Sequence, residues 1–392
     1  MNFDFDTVVP RRGSDSVKWD LRPDVLPMWI ADMDFRAAPC ILKALQRKID
    51  HGVFGYTHIP DTFHAAVRNW FAGRHGWTIG TDAIIPISGL VPAASVVLEA
   101  LGCRGGKVVM QTPAYNCFFS SIRNTGGVLV ENRLVPDRAT RKFHIDFDAF
   151  EQACSDPQVK AFLLCNPHNP TGRLWSREEL ARLGEICLRH GIPVISDEIH
   201  CEITAPGTSY TPFASVSPEF ARNCVSLVSP SKSFNIAGLQ AACIVCENPG
   251  WRARIDRVIN DWEHCDLNPL GVAALQAAYS PEGAEWLEGM NRRIFANFHI
   301  LKDRFARELP QCPVTELEAT YLVWVDCSAL PLRGKQIEEE LCREEKVWIN
   351  GGGMYGDDHF VRINIACPET TLQDGLDRII HGLNRIIKKH AK

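Results

Sequence analysis

The sequence lacks any uninterrupted apolar run approaching the roughly 18 residues that a membrane span requires. Its opening stretch, MNFDFDTVVPRR, brings acids early and has no apolar centre, so a secretory leader is not expected. Neither sign of charge prevails: 42 Lys plus Arg against 47 Asp plus Glu leave a formal charge of −5. A chain so balanced offers nucleic acid or an anionic membrane no broad attraction, which leaves a small molecule as the expected partner. Internal repeats, low-complexity tracts and long linkers are missing as well. The 15 cysteines make about 4% of 392 residues, below the roughly 8–10% that marks a disulfide scaffold. Their number is odd, and most, such as Cys165 in AFLLC and Cys187 in GEICLRHG, sit in apolar stretches where a thiol behaves as a small hydrophobe. A reduced, cytoplasmic chain is the expectation.

What the sequence does contain is enough apolar residue, 45% of 392 positions, for one large or two interleaved domains with substantial cores. Short apolar runs at 107–110, 127–130, 161–165, 192–196, 225–229 and 242–246 read as buried strands, because they are continuous rather than alternating. Helical stretches fall between several of them. The clearest runs from Ser176 to Gly191, where Ser176 and Glu179 have capping-box spacing and Gly191 closes the end. This order predicts an α/β domain over about residues 50–285, with a mostly parallel sheet and a ligand crevice at the carboxyl ends of its strands. Residues 286–392 read differently: a long helix over 283–309, strands at 321–325 and 360–365, and a closing helix over 372–389. They predict a smaller α+β domain, completed by residues 1–49.

Four stretches carry chemistry. In SPSKSFNIAGLQ, Lys232 follows a strand between two serines, where an amine of lowered pKa can form an imine with a carbonyl cofactor and the hydroxyls can hold a phosphate. A surface lysine in a polar loop is the plainer alternative. In IPVISDEIHCE, Asp197 ends an apolar strand, a place where a carboxylate needs a partner. A protonated pyridine nitrogen is one such partner; an N-cap, a buried salt bridge and a metal are others. No HExxH motif and no second His or Cys at ligand spacing accompany Glu198 and His200, so no metal site is expected. NPHNPTG places Asn169 as a fixed donor after another strand, though the same residues make good turn chemistry. SGLVP opens a helix, so the amides near Gly89, Leu90 and Val91 suit a phosphate, as those of many capped helices would. Two further signals are set aside. GGGMYG at 351–356 satisfies GxGxxG but no helix follows it, so it predicts a flexible substrate-side loop. Cys243 and Cys246 are three apart on a strand and point to opposite faces.

In order, SG-helix, TPAY, NPHNPTG, SDEIH, SPSKSFN and VRIN resemble the fold-type-I pyridoxal-phosphate enzymes of the aspartate aminotransferase superfamily. MWIADMDF, FGYT, SDEIH and SKSFNIAGL resemble its MalY/PatB cystathionine β-lyase branch, from near residue 3 to the last helix. The resemblance implies a seven-stranded sheet flanked by helices, pyridoxal 5'-phosphate as cofactor and Lys232 as the residue that binds it covalently. It also implies that Asp197 pairs with the pyridine nitrogen, Asn169 holds the ring oxygen, and Tyr115 stacks on the ring beside His200. Ser229, Ser231, Gly89, Leu90 and Val91 would take the phosphate. Arg362, with Asn169 and Ala31, would hold the amino-acid substrate. Tyr56 would cross a homodimer interface into the neighbouring site. Two departures from the common aminotransferase pattern stand out: Gln240 replaces an arginine that neutralises phosphate, and His200 replaces a tyrosine, leaving its role open between structural and catalytic. The implied reaction is carbon–sulfur β-elimination from cystathionine or another S-substituted L-cysteine to a thiol, pyruvate and ammonia. An aminotransferase is the nearest alternative, and a regulatory protein binding a transcription factor the more remote one.

Overall fold

The computed structural model describes residues 3–390. Met1 and Asn2 of the N-terminal stretch read above, and residues 391–392, lie outside them. Apolar continuity builds one seven-stranded sheet from β1 (Ile84–Ile87), β2 (Lys107–Thr112), β3 (Val128–Arg133), β4 (Val159–Cys165), β5 (Val194–Asp197), β6 (Cys224–Val228) and β7 (Ala242–Cys246). Its order is β1-β7-β6-β5-β4-β2-β3, and only β7 runs against its neighbours. Strand β1 was not expected from the sequence. Pro86 interrupts its ladder, which a strand tolerates at a sheet edge, and β1 occupies that edge. Cys243 and Cys246 fall in the two separate cores on opposite faces of the sheet.

The helices include α1 (Pro39–His51), α2 (Asp61–His75), α3 (Leu90–Ala100), α4 (Asn116–Asn124) and α5 (Arg177–Arg189), of which α3 and α4 pack against strands of this sheet. The capping box of α5 forms as its spacing required: Ser176 Oγ accepts from the Glu179 amide at 3.1 Å, and Glu179 Oε2 accepts from the Ser176 amide at 2.8 Å. Gly184 on α5 is a packing contact, since a Cβ there would stand 2.2 Å from the Phe220 ring. Gly184→Val should destabilise the chain by about 1–3 kcal/mol through overpacking, read as a lower denaturation midpoint with an unchanged slope.

After the long helix α6 (Pro281–Glu308), strands β8 (Leu322–Asp326), β9 (Asn350–Gly351) and β10 (Phe360–Asn364) form a second sheet in the order β8-β10-β9, closed by α7 (Glu369–His390). Near the N-terminus, Leu26–Pro27 pairs in parallel with Val347–Trp348. The GGGMYG stretch is packed rather than loose. A Cβ on Gly352 would lie 2.1 Å from the Asp357 carbonyl, and Tyr355 is buried. No helix among the described residues is long and apolar enough to cross a membrane.

Candidate active site

The register of the large sheet brings three loops together. Asp197 at the end of β5 stands opposite Cys165 on β4 and Leu227 on β6. The loop carrying Asn169 leaves from β4 and the turn carrying Lys232 leaves from β6, so both border Asp197. Here, at the carboxyl ends of the strands, a cavity of about 250 Å³ is lined by Ala31, Gly89, Leu90, Val91, Tyr115, Asn169, Asp197, His200, Ser229, Ser231 and Lys232. Ser88, Phe118, Ile199 and Gln240 line it too. Phe118 escaped sequence reading although it lies one turn after Tyr115, the spacing that puts two side chains on one helix face. A larger cavity of about 520 Å³ beside Arg138, Arg141 and Pro313 has no such convergence with the strand ends. Among the described residues, no group of three or more His, Cys, Asp or Glu could hold a metal ion.

Two expected residues do not line the cavity. Tyr56 is 100% exposed and does not reach the cavity of its own chain, and Val53 and Phe54 beside it are also exposed. Arg362 is buried on β10 behind the wall. Its Nη1 donates to Asn169 Oδ1 at 3.1 Å and its Nη2 to the Trp29 carbonyl at 3.0 Å. The guanidinium lies 4.4 Å from the centre of the Tyr355 ring, a cation–π support. Tyr355 in turn accepts from Asn350 Nδ2 at 2.8 Å.

Burial dominates the electrostatics. Asp197 accepts a hydrogen bond from the Ile199 amide at 3.1 Å, yet burial pushes its pKa up to about 7, with Glu198 adding to the rise and Lys232 opposing it. Glu198 is pushed up to about 7 by burial as well; its Oε1 accepts from Ser196 Oγ and the Phe213 amide. Lys232 Nζ donates to the Ala31 carbonyl at 2.7 Å, and burial lowers its pKa. Burial, with Lys232 and Arg362 nearby, drives His200 down to about 3. His200 is therefore a neutral imidazole, and its Nδ1 has no partner among the described residues. The Ser229 hydroxyl donates to the Ala241 carbonyl at 2.7 Å and accepts from the Ser231 amide at 3.1 Å, so its hydrogen braces the turn that carries Lys232.

These groups fit pyridoxal phosphate at each end. Asp197 is a buried carboxylate with no cationic partner at salt-bridge distance among the described residues, which a protonated ring nitrogen would supply. At the other end Gly89, at φ +113°, opens the 11-residue helix α3, whose first amides lack intrahelical partners and suit a phosphate. Gln240, in a left-handed conformation at φ 49°, brings no charge to that end. The Lys232 amine lies in the same cavity.

The profile of the aminotransferase class I and II family matches residues 23–379. Cystathionine beta-lyase PatB of Bacillus subtilis is 40% identical over 383 residues, covering 96% of this chain and 98% of its own length. Protein MalY of Escherichia coli is 32% identical over 396 residues, covering 98% of this chain and all of its own, 100%. Among solved structures, cystalysin from Treponema denticola, which contains a pyridoxal 5'-phosphate cofactor, matches with a TM-score of 0.94 at 33% identity over 98% of this chain and 100% of that one.

Proposed function

Because the chain belongs to the aminotransferase class I and II family, we propose that it is a pyridoxal-phosphate-dependent carbon–sulfur β-lyase acting on cystathionine or a related S-substituted L-cysteine. The observation that carries the site assignment is the meeting in one cavity of a buried amine, Lys232, with a buried carboxylate that lacks a cation, Asp197. The bound cofactor supplies an electron sink conjugated to the substrate Cα.

The chain's own residues do the rest. Asp197 holds the proton on the ring nitrogen and so keeps the sink cationic. Lys232 would hold the cofactor through Nζ, and the same Nζ, once free, would take the Cα proton. Its lowered pKa keeps more of the amine free to do so. The bond from Cβ to sulfur then breaks, the thiolate leaves, and the three-carbon remainder is hydrolysed to pyruvate and ammonia. Asn169 accepts from Arg362 through Oδ1, which leaves its Nδ2 as the donor that would hold the cofactor's ring oxygen. Tyr115 would pack on the ring, and Ser231 with the first amides of α3 would take the phosphate. Arg362, which lies behind the cavity wall with its Nε unpartnered among the described residues, would exchange its present partners for the substrate carboxylate and, with Ala31, orient the breaking bond.

Sustained release of pyruvate and thiol from L-cystathionine without any 2-oxo acid supports this reading. A single stoichiometric half-reaction that then stops would identify an aminotransferase instead. Arg362→Ala should raise KM about 10- to 100-fold, as loss of charge-assisted hydrogen bonds implies, with a smaller fall in kcat. Steady-state kinetics on cystathionine checks the split.

The exposed Val53, Phe54 and Tyr56 support a homodimer in which each copy reaches the other's site. Mixing the inactive variants Tyr56→Ala and Lys232→Ala should then restore activity, because a heterodimer keeps one complete site. Fifteen free cysteines support a reducing, cytoplasmic setting.

A further inference from the structure

The stretch from Trp29 to Met33 is neither helix nor strand, yet each of its carbonyls accepts a hydrogen bond from a side chain. Trp29 accepts from Arg362 at 3.0 Å, Ile30 from Asn364 at 2.6 Å and Ala31 from Lys232 at 2.7 Å. Asp32 accepts from Lys18 at 2.9 Å and Met33 from Arg11 at 2.8 Å. Backbone carbonyls must find donors, and here those donors are two residues that the proposed reaction uses, Lys232 and Arg362, with Asn364 beside Arg362 on β10 and two cations from the N-terminal segment. One short strap thus fixes the Lys232 amine and the Arg362 guanidinium relative to each other.

The far side of the strap is held by charge. Asp34 Oδ2 accepts from Lys18 at 2.7 Å, with the Lys18 side chain only 1% exposed, and its Oδ1 accepts from Arg11 Nη1 at 2.9 Å. Among the described residues, Asp32 pairs with Arg11 alone. Its two oxygens receive Arg11 Nη1 at 3.0 Å and Nη2 at 2.8 Å, a bidentate pair whose side chains are 28% and 20% exposed. Asp32 immediately follows the residue whose carbonyl holds the Lys232 amine. Of the charges around that amine, Asp32 acts most strongly and favours its proton; Arg362 opposes, Cys117 and Asp197 act with Asp32, and His200 faces it as a neutral ring. Tyr321 also faces Asp32, and burial keeps that phenol protonated.

We propose that the Arg11–Asp32 ion pair is a positioning device for the catalytic amine. Asp32 supplies the negative field that retains a proton at Lys232, Arg11 sets how much of that field is felt, and their pairing fixes the Ala31 carbonyl against Nζ. The proposal rests on the lyase reading and names residues outside the cavity that tune it.

The test is the visible absorption of the holoenzyme titrated against pH, which follows the proton on the nitrogen that Lys232 contributes. Arg11→Gln unmasks Asp32 and should raise the midpoint by roughly half a unit or more; Asp32→Asn should lower it by a similar amount. The double variant should return near the wild-type value, and Arg11→Lys should lie between wild type and Arg11→Gln. The alkaline limb of the kcat/KM profile should move with the spectrum. A merely structural loosening would not move the two single variants in opposite directions. Asp32→Asn retains an oxygen that accepts from Arg11, so it tests the sign even where Arg11→Gln lowers stability. A visible band with unmoved midpoints, or with both moved the same way, overturns the proposal alone. A wild-type protein that acquires no visible band with pyridoxal phosphate overturns the lyase reading and this proposal with it.

Discussion

Lys232→Ala should lower pyruvate release from cystathionine by at least about 10³-fold, since in the proposed reaction it removes both the covalent hold on the cofactor and the group that takes the Cα proton. No other base in the cavity replaces it. His200 also lines the cavity, but a ring held down to about 3 is a poor proton acceptor, and Asp197 is, on the proposed reading, committed to the ring nitrogen. The fold should survive. Burial lowers the pKa of Lys232 below that of an unfolded lysine, so at neutral pH the unfolded chain holds this proton more tightly than the folded one. That difference opposes folding, and removing the amine relieves it. The variant should therefore unfold at a denaturant concentration no lower than wild type beyond the loss of side-chain packing and of the hydrogen bond to the Ala31 carbonyl. Borohydride reduction of wild-type holoenzyme should leave a modified peptide containing Lys232, and the same peptide should be absent from the variant. A release rate within tenfold of wild type, with the variant folded, would overturn the assignment.

What the sequence disclosed followed strand ends. Asp197, Asn169 and Lys232 each stand at or just beyond a continuous apolar run, and such runs become neighbouring strands whose ends share one edge of the sheet. Local signals with a fixed spacing were equally legible, as in the capping box of Ser176 and Glu179. What escaped reading depended on distant partners. Glu202 lies within the quoted SDEIHCE stretch, yet its carboxylate is held by Trp70 Nε1 at 2.6 Å, Arg74 Nε at 3.0 Å and His75 Nε2 at 2.8 Å, all from α2 more than 120 residues earlier. Burial alone would raise its pKa, but those partners hold it below the usual carboxylate range. Nothing in local pattern announces such a link between α2 and the strand that carries Asp197. The strap from Trp29 to Met33 was illegible for a related reason. Irregular backbone has no period, and its donors come from three separate parts of the chain. Tyr355 was hidden by a glycine-rich motif whose composition reads as loose, whereas its glycines are required by close backbone approach.

Asp197→Asn should lower the rate of elimination at least about 10²-fold, a loss comparable to removing one preorganised electrostatic contact from an active site. The amide keeps the size and one acceptor oxygen of the acid but carries no charge, so it cannot hold a proton on the ring nitrogen, and electrons leaving Cα have a weaker sink. The apoprotein should respond in the opposite sense. Asp197 in the folded chain is raised to about 7 from 3.8, so between these values the folded form holds a proton that the unfolded form has lost. Its contribution to stability therefore falls as pH rises from about 4 to about 7. Asparagine does not titrate, and the variant should gain on wild type across that window, with Glu198 contributing the same background slope to both. Urea unfolding of the two apoproteins at several pH values, beside pyruvate release by the holoenzymes, measures both effects. A residue kept at a cost to stability because it faces the ring nitrogen should show both signs at once. If activity fell while the stability difference stayed flat with pH, the carboxylate would already have a cationic partner within the protein, and its pairing with the ring would lose its physical basis.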